Sequence, residues 1–287
     1  MNRLSFERRC SVIQALVEGN SIRGTERITG VVKKTILKLL RDVGRVAEAY
    51  QDRVLRDLPC RLIQADELWT FVYSKRRNIP PEREGQFGFG DVWTWVAMDA
   101  ETKLVVTWWN GQRTAEDAVA FMRDLAPRLR NRVQLTTDGL SFYPYAVDIA
   151  FGGDVDYGTT IKDFDGGEFP AKAIIQGNPD PKLISTSLIE RQNLTMRMEM
   201  RRFARRTNAH SKDVRNHAHM VALHYLHYNF ARPHMSLSGA TPAQAIGLTK
   251  RRWRIQTIVR LLAEVEGSPD EEDTVIEELA RAGLVDA

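Results

Sequence analysis

Cysteine is scarce in this sequence: Cys10 and Cys60 are the only two in 287 residues. They show no CxxC and no Cys/His ligand spacing, which excludes a disulfide framework and a zinc finger. Long hydrophobic runs are missing as well. No window approaches the roughly 18 apolar residues of a membrane span, and the opening MNRLSFERRC lacks the apolar core of a signal peptide. The cytoplasm is therefore the expected location. All six histidines lie between 210 and 234. His217 and His219 fall on different faces of a helix, and no cysteine or carboxylate joins His224 and His227, so packing suits them better than zinc.

What is present is charge, unevenly spread. The net charge of +4 divides into +5 over residues 1–60, −4 over 61–183, +10 over 184–255 and −7 over 256–287. Two basic blocks flanking a mildly acidic centre suit a polyanionic partner. The acidic tail EVEGSPDEEDTVIEEL reads as solvated, with competition for the basic surface as the alternative.

The first basic block carries a helical pattern. FERRCSVIQALVEG stops at Gly19, SIRGTERITG is a short helix opened by Ser21, and VVKKTILKLLRDVG is a third helix expected to end at Gly44. Helix, short helix, turn at Thr29-Gly30, helix is the helix-turn-helix order, and a plain three-helix bundle is the alternative. In that motif the start of the last helix faces base edges, here Val32, Lys33, Lys34 and Thr35. Residues 45–60 read as a linker helix ending at Pro59.

From residue 61 the period changes to strands. RLIQADELWTFVYSK, then the two halves of VWTWVAMDAETKLVVTWWNG, are rich in β-branched and aromatic residues. TAEDAVAFMRDLAPRLR is helical, VQLTTDG a short buried strand, SFYPYAVDIAF a helix opened by Ser141, and DVDYGTTIKDF a fifth strand. The stretch 166–181 is Gly/Pro-rich and expected to be irregular. A closing helix starts at Ser187. This order predicts an α/β ribonuclease H-like core with a mixed five-stranded sheet over residues 61–232. An all-α domain (1–44) and the linker (45–60) precede it, an insertion is expected at 152–183, and a helical extension with the acidic tail (233–287) follows.

In such a core the first and fourth strands are neighbours and the closing helix crosses their ends, which would bring Asp66, Asp138 and Glu190 together. Glu67 is the rival to Asp66, since alternation sends only one of them to a given face. Close carboxylates repel unless a cation neutralises them, and oxygen ligands without a Cys/His set point to Mg²⁺ or Mn²⁺. Each residue also has a plainer reading: Asp66 at an exposed edge, Asp138-Gly139 as a turn, and Ser187 with Glu190 as a capping box. Along SLIERQNLTMRMEMRRFARR, Glu190, Asn193, Arg197, Arg201 and Arg205 share one stripe, with Arg191 close by. A carboxylate heading a row of guanidiniums suits phosphate binding, and a solvated charged face is the alternative.

ADELW (65–69), TTDGLSFY (136–143) and SLIERQNLTMR (187–197) resemble the three acidic motifs of DDE transposases of the insertion-sequence-one type, single-chain form with an N-terminal helix-turn-helix. The likeness centres on E-R-x-N at Glu190 to Asn193 and runs over most of residues 1–255. It implies Asp66, Asp138 and Glu190 as catalytic, metal-holding residues and two Mg²⁺ or Mn²⁺ ions. It further implies cleavage at an element's ends and joining of the 3′-OH to target DNA, in a bacterial cytoplasm at the nucleoid. DNA would be the partner, contacted through Lys33, Lys34, Thr35, Arg191, Asn193, Arg197, Arg201 and Arg205, and holding two ends implies at least a homodimer. A ribonuclease H-like nuclease or resolvase, and a catalytically silent DNA-binding regulator, are the alternatives. The 51 residues between Asp138 and Glu190 exceed the spacing of compact members. YNFARPH (228–234) resembles a C-terminal motif of related transposases, with packing or DNA contact as its expected role.

Overall fold

The computed structural model describes residues 4–161, 171–204 and 206–265. The chain divides into two compact units. One comprises residues 1–54 and 197–287, and the other residues 55–196. The boundaries differ from those read in the sequence, because the first three helices share a unit with the C-terminal segments.

In the helical unit, α1 (Phe6–Val17), α2 (Ile22–Thr29) and α3 (Lys33–Val54) come first. Ser21 Oγ accepts from Gly24 N–H at the start of α2, and Gly30 closes it at φ 66°, a left-handed cap that glycine adopts without penalty. The expectation that the third helix ends at Gly44 is corrected. α3 continues to Val54, absorbing most of the expected linker helix, because Gly44 serves close packing and not termination. A Cβ there would lie 2.3 Å from His219 Cβ and 2.8 Å from His219 O, so a side chain would separate α3 from α7 (Val214–Leu226). Gln51 Nε2 donates to Ala222 O across the same contact. A π-helical turn, His227–Ala231, follows α7, and α8 (Pro242–Ala245) and α9 (Ile255–Val265) complete the described chain. Tyr50, Phe230 and Trp253 form one aromatic cluster, so YNFARPH supplies core. His217 packs on Phe203, and His224 on Tyr225 and Tyr228. Burial drives both imidazole pKa values down to about 3, which keeps them neutral.

The sheet unit has strands β1 (Leu62–Val72), β2 (Gly90–Asp99), β3 (Val105–Gly111), β4 (Val133–Asp138), β5 (Val155–Ile161) and β6 (Ala171–Gln176). Their spatial order is β3-β2-β1-β4-β5-β6. β1 is antiparallel to β2 and parallel to β4, which is parallel to β5. This is the ribonuclease H-like order, with one strand more than expected. β6 lies in the stretch read as irregular; antiparallel pairing with β5 supplies the backbone bonds that its exposed sequence AKAIIQ does not advertise. Helices α4 (Ala115–Leu125) and α5 (Tyr143–Phe151) pack in this unit. Phe142, not Ser141, stands at the start of α5, and no side chain caps it. Trp95 is fully buried against Phe121 and Tyr143. Among the described residues no helix is long and apolar enough to cross a membrane. The acidic tail lies outside the described residues.

The helix from Ser187, α6 (Ser187–Glu199), starts in the sheet unit and ends in the helical one. It is shorter than the stripe Glu190–Arg205 requires. Met200 is extended at φ −120°, ψ 107°, and Arg201 belongs to a separate 3₁₀ turn, so the row of arginines does not continue along one helical face. Tertiary contacts stop the helix at Glu199. Its carboxylate pairs with Arg232, and its carbonyl is covered by Gly19, where a Cβ would stand 2.6 Å away. Arg205 lies outside the described residues.

Candidate active site

Parallel pairing of β1 with β4 covers Leu62 to Gln64 on β1 and Gln134 to Thr136 on β4. Beyond Gln64 and Thr136 the ladder between them ends, while each strand continues with its other neighbour. The next acidic residues along the two strands are Asp66 and Asp138, so the sheet's own splay provides the space between them. Oxygens of Asp66, Glu67 and Asp138 lie within 4.8 Å of one another.

The three carboxylates differ in surroundings. Glu67 is buried and held on both sides: Arg113 donates to its Oε1 at 2.6 and 2.9 Å, and the Tyr143 hydroxyl donates to Oε2 at 3.1 Å. Arg113 also lies over the Trp93 ring, 4.8 Å from its centroid. Asp66 accepts from Asn193 Nδ2 at 2.8 Å. Asp138 Oδ1 accepts from Leu140 N–H at 3.1 Å. Burial first, then Glu67 and Asp138, push the Asp66 pKa up to about 7. Burial and Asp138 raise Glu67, against the pull of Arg113. Burial and the neighbouring carboxylates raise the Tyr143 phenol well above its usual value, which keeps it a donor.

Four sequence readings change here. Glu67 joins Asp66 in the cluster although alternation was expected to separate them; where the two strands part, side chains from both faces reach the gap. Glu190 does not join it. It is exposed, and its Oε1 accepts from Thr186 Oγ1 at 3.1 Å. The capping box is also absent, since Glu190 N–H donates to Thr186 O and Ser187 N–H to Ser185 Oγ. Gln64 of β1 does the capping, its Oε1 accepting from both Leu188 and Ile189 N–H at 3.0 Å. That bond fixes the start of α6 next to β1. Asn193, expected to face DNA, is buried and directed at Asp66. Glu190 stands three residues before it, one helical turn away on the same side. It is also linked toward β4: Thr186 Oγ1 bonds Thr160 Oγ1 at 3.2 Å, and Thr160 pairs with Asp138. Arg113, Tyr143, Gln64 and Thr186 were not singled out from sequence, because nothing local marks a residue whose partner is distant in the chain.

Three carboxylates with oxygens within 4.8 Å of one another, hard oxygen donors only, form a group compatible with a divalent cation. Arg113 and Tyr143 already engage Glu67. In metal-free protein, Asp66→Asn is expected to melt above the parent at pH 8. The folded pKa of about 7 exceeds the usual 3.8, so the stabilisation from the neutral carboxyl is complete below the lower value and lost as pH rises through the higher one. The gain in Tm should thus grow between those values and level off above, as scanning calorimetry in EDTA would record; a gain independent of pH would refute the shift.

Arg113→Met is expected to destabilise the protein by about 2 kcal/mol, less than the roughly 3–5 kcal/mol of a fully buried pair because Arg113 is partly exposed. Adding Glu67→Met should restore much of the loss in urea denaturation, since the uncompensated buried charge is then gone. A double variant no more stable than the single would discount the pair.

No protein-family model matches the chain. It is 28% identical over 160 residues to the insertion element iso-IS1n protein InsB of Shigella dysenteriae, a match covering 56% of this chain and 90% of that protein. It is thus a distant relative of an insertion-element protein. Among solved structures it is similar to the piggyBac transposase in its synaptic complex with hairpin DNA, at TM-score 0.45 and 8% identity over 98% of this chain and 76% of that one. The Mos1 strand transfer complex matches at TM-score 0.26 and 13% identity, over 79% of this chain and 76% of that one.

Proposed function

We propose that the chain is a DNA transposase that cleaves phosphodiesters at the ends of an insertion element and joins the freed 3′-OH to target DNA. The observation that carries this reading is the Asp66–Asp138 pair at the parting of β1 and β4, crossed by a helix that sends Asn193 to Asp66 and bears Glu190 one turn earlier. The relationship to an insertion-element protein supports it. Asp66 and Asp138 would hold divalent ions, Mg²⁺ or Mn²⁺ and two in number, with Glu190 as the third ligand. When bound, such ions supply Lewis acidity that activates water and then a 3′-OH. Asn193 fixes the Asp66 carboxylate through its 2.8 Å bond, and the Arg113–Glu67 pair offsets part of the cluster's negative charge.

Recognition falls to the helix-turn-helix reading of α1 to α3. Lys33 and Lys34 at the start of α3 are exposed and Thr35 half-exposed, as side chains reaching base edges must be. Arg191 and Arg201 are exposed and Arg197 half-buried; they would contact phosphates, without the single stripe first expected. Working on two ends at once calls for a homodimer or larger assembly.

The test uses duplexes taken from the DNA flanking the gene, incubated with the full chain and Mg²⁺ or Mn²⁺ and resolved on denaturing gels. Cleavage with 3′-end joining supports a transposase. Cleavage without joining indicates a nuclease, and binding without cleavage a silent regulator.

A further inference from the structure

The helical unit contains a cavity of about 590 Å³ between α2, the start of α3 and the chain that follows α6. Among the described residues Arg23, Arg27, Lys33, Arg202 and Lys212 line it, against a single carboxylate, Asp213. That carboxylate is committed elsewhere, accepting from Asn216 N–H to cap α7 and from Arg215. Arg23, Arg27, Lys33 and Lys212 are exposed. Arg23 and Arg27, four residues apart, project from one face of α2. The fifth cation is half-buried and tied to the wall: Arg202 Nη1 donates to Ser211 Oγ and to Asn216 O. Burial drives the Arg202 pKa down to about 10, so an anion in the cavity would lower the cost of keeping that guanidinium charged. Ser21 and Ile22 line the same space, and the first turn of α2 adds its positive end.

We infer that this cavity binds backbone phosphate of duplex DNA, so that α2, the start of α3, Arg202 and residues 208–212 form one DNA-contacting surface. The inference rests on the reading of the chain as a DNA-binding transposase and adds a site to it. Cations drawn from two distant parts of the chain meet in a concavity larger than one phosphate group and next to Lys33. A polyanion fits that arrangement, because phosphate contacts position DNA without reading its sequence. The segment after α6, in the most basic stretch of the chain at +10, thereby gains a role separate from the α6 arginines.

The experiment compares the full chain with the triple variant Arg23→Gln/Arg27→Gln/Lys212→Gln, all at exposed positions, with melting curves to establish that both fold. Affinity for a scrambled duplex is measured by fluorescence anisotropy over a KCl series. The triple variant should flatten the slope of log K against log [salt] by roughly 0.9 for each phosphate it no longer neutralises, and should weaken scrambled and element-end duplexes by the same factor. Equal slopes for a parent that binds DNA overturn the cavity assignment and leave the transposase reading standing. A parent that binds no duplex overturns both. A second arm measures Tm in inorganic phosphate against chloride at matched ionic strength. A phosphate-specific rise abolished in the triple variant, with equal DNA slopes, would make the cavity a site for free phosphate and also overturn the assignment.

Discussion

Asp138→Asn is expected to lower metal-dependent strand cleavage by about 10³-fold or more while leaving the protein folded. The carboxylate ends β4 within 4.8 Å of the Asp66 and Glu67 oxygens, and an amide of the same shape removes its charge but not its acceptance from Leu140 N–H. A bound divalent cation contributes several kcal/mol of charge stabilisation to the transition state, and each 1.36 kcal/mol is tenfold in rate, hence the estimated factor. Single-turnover cleavage of an end-labelled duplex measures it. Cleavage within tenfold of the parent would remove Asp138 from the chemistry. The same assay separates the two candidates for third carboxylate. Glu190→Gln should match Asp138→Asn, because Glu190 is exposed one turn from the Asn193–Asp66 bond. Glu67→Gln should retain more activity, because Arg113 and Tyr143 already engage that carboxylate. The reverse ranking would transfer the role to Glu67.

Gly44→Val is expected to destabilise the helical unit by about 3 kcal/mol or more, enough to consume much of a typical domain's stability. Valine has the higher intrinsic helix propensity, but by less than about 1 kcal/mol. Opposing it, the first added carbon would already stand 2.3 Å from His219 Cβ, 2.7 Å from its Cα and 2.8 Å from its carbonyl oxygen. Two of those three atoms are backbone, so the neighbour cannot withdraw by changing rotamer, and the α3–α7 contact would have to open. His219→Ala should therefore not rescue the variant. Thermal and urea denaturation of the single and double variants check this; stability equal to the parent's would show that α3 and α7 have room to part.

Position 44 also marks the limit of local pattern. Glycine at a break in hydrophobic periodicity reads as a helix end, and at Gly30 it is one, with φ 66°. Gly44 has the same composition cue and an opposite role, because its missing side chain is used by another helix. Glu190 is a parallel case. S-x-x-E spacing describes a possible local bond, yet the helix start is capped by Gln64, more than a hundred residues earlier, and the capping box does not form. β6 shows the limit for strands: its residues are mostly exposed, so neither alternation nor a hydrophobic run marks it, and it is defined by its partner.

The sequence by itself determined the local elements and the main topology: α1 and α2 with their stops, the first five strands in order, and Asp66 and Asp138 on neighbouring strands. The elements follow from periodicities of 3.6 and 2 and from turn chemistry, which act over a few residues, while the adjacency of the strands that carry Asp66 and Asp138 came from the ribonuclease H-like order that those elements resemble. The tertiary structure decided the rest: the passage of α3 through Gly44, the end of α6 at Glu199, the turn of Asn193 toward Asp66, and the entry of Glu67 into the carboxylate cluster with Arg113 as its counter-ion. Each of these depends on an atom supplied from a distant part of the chain, and short-range pattern carries no record of a partner brought close only by folding.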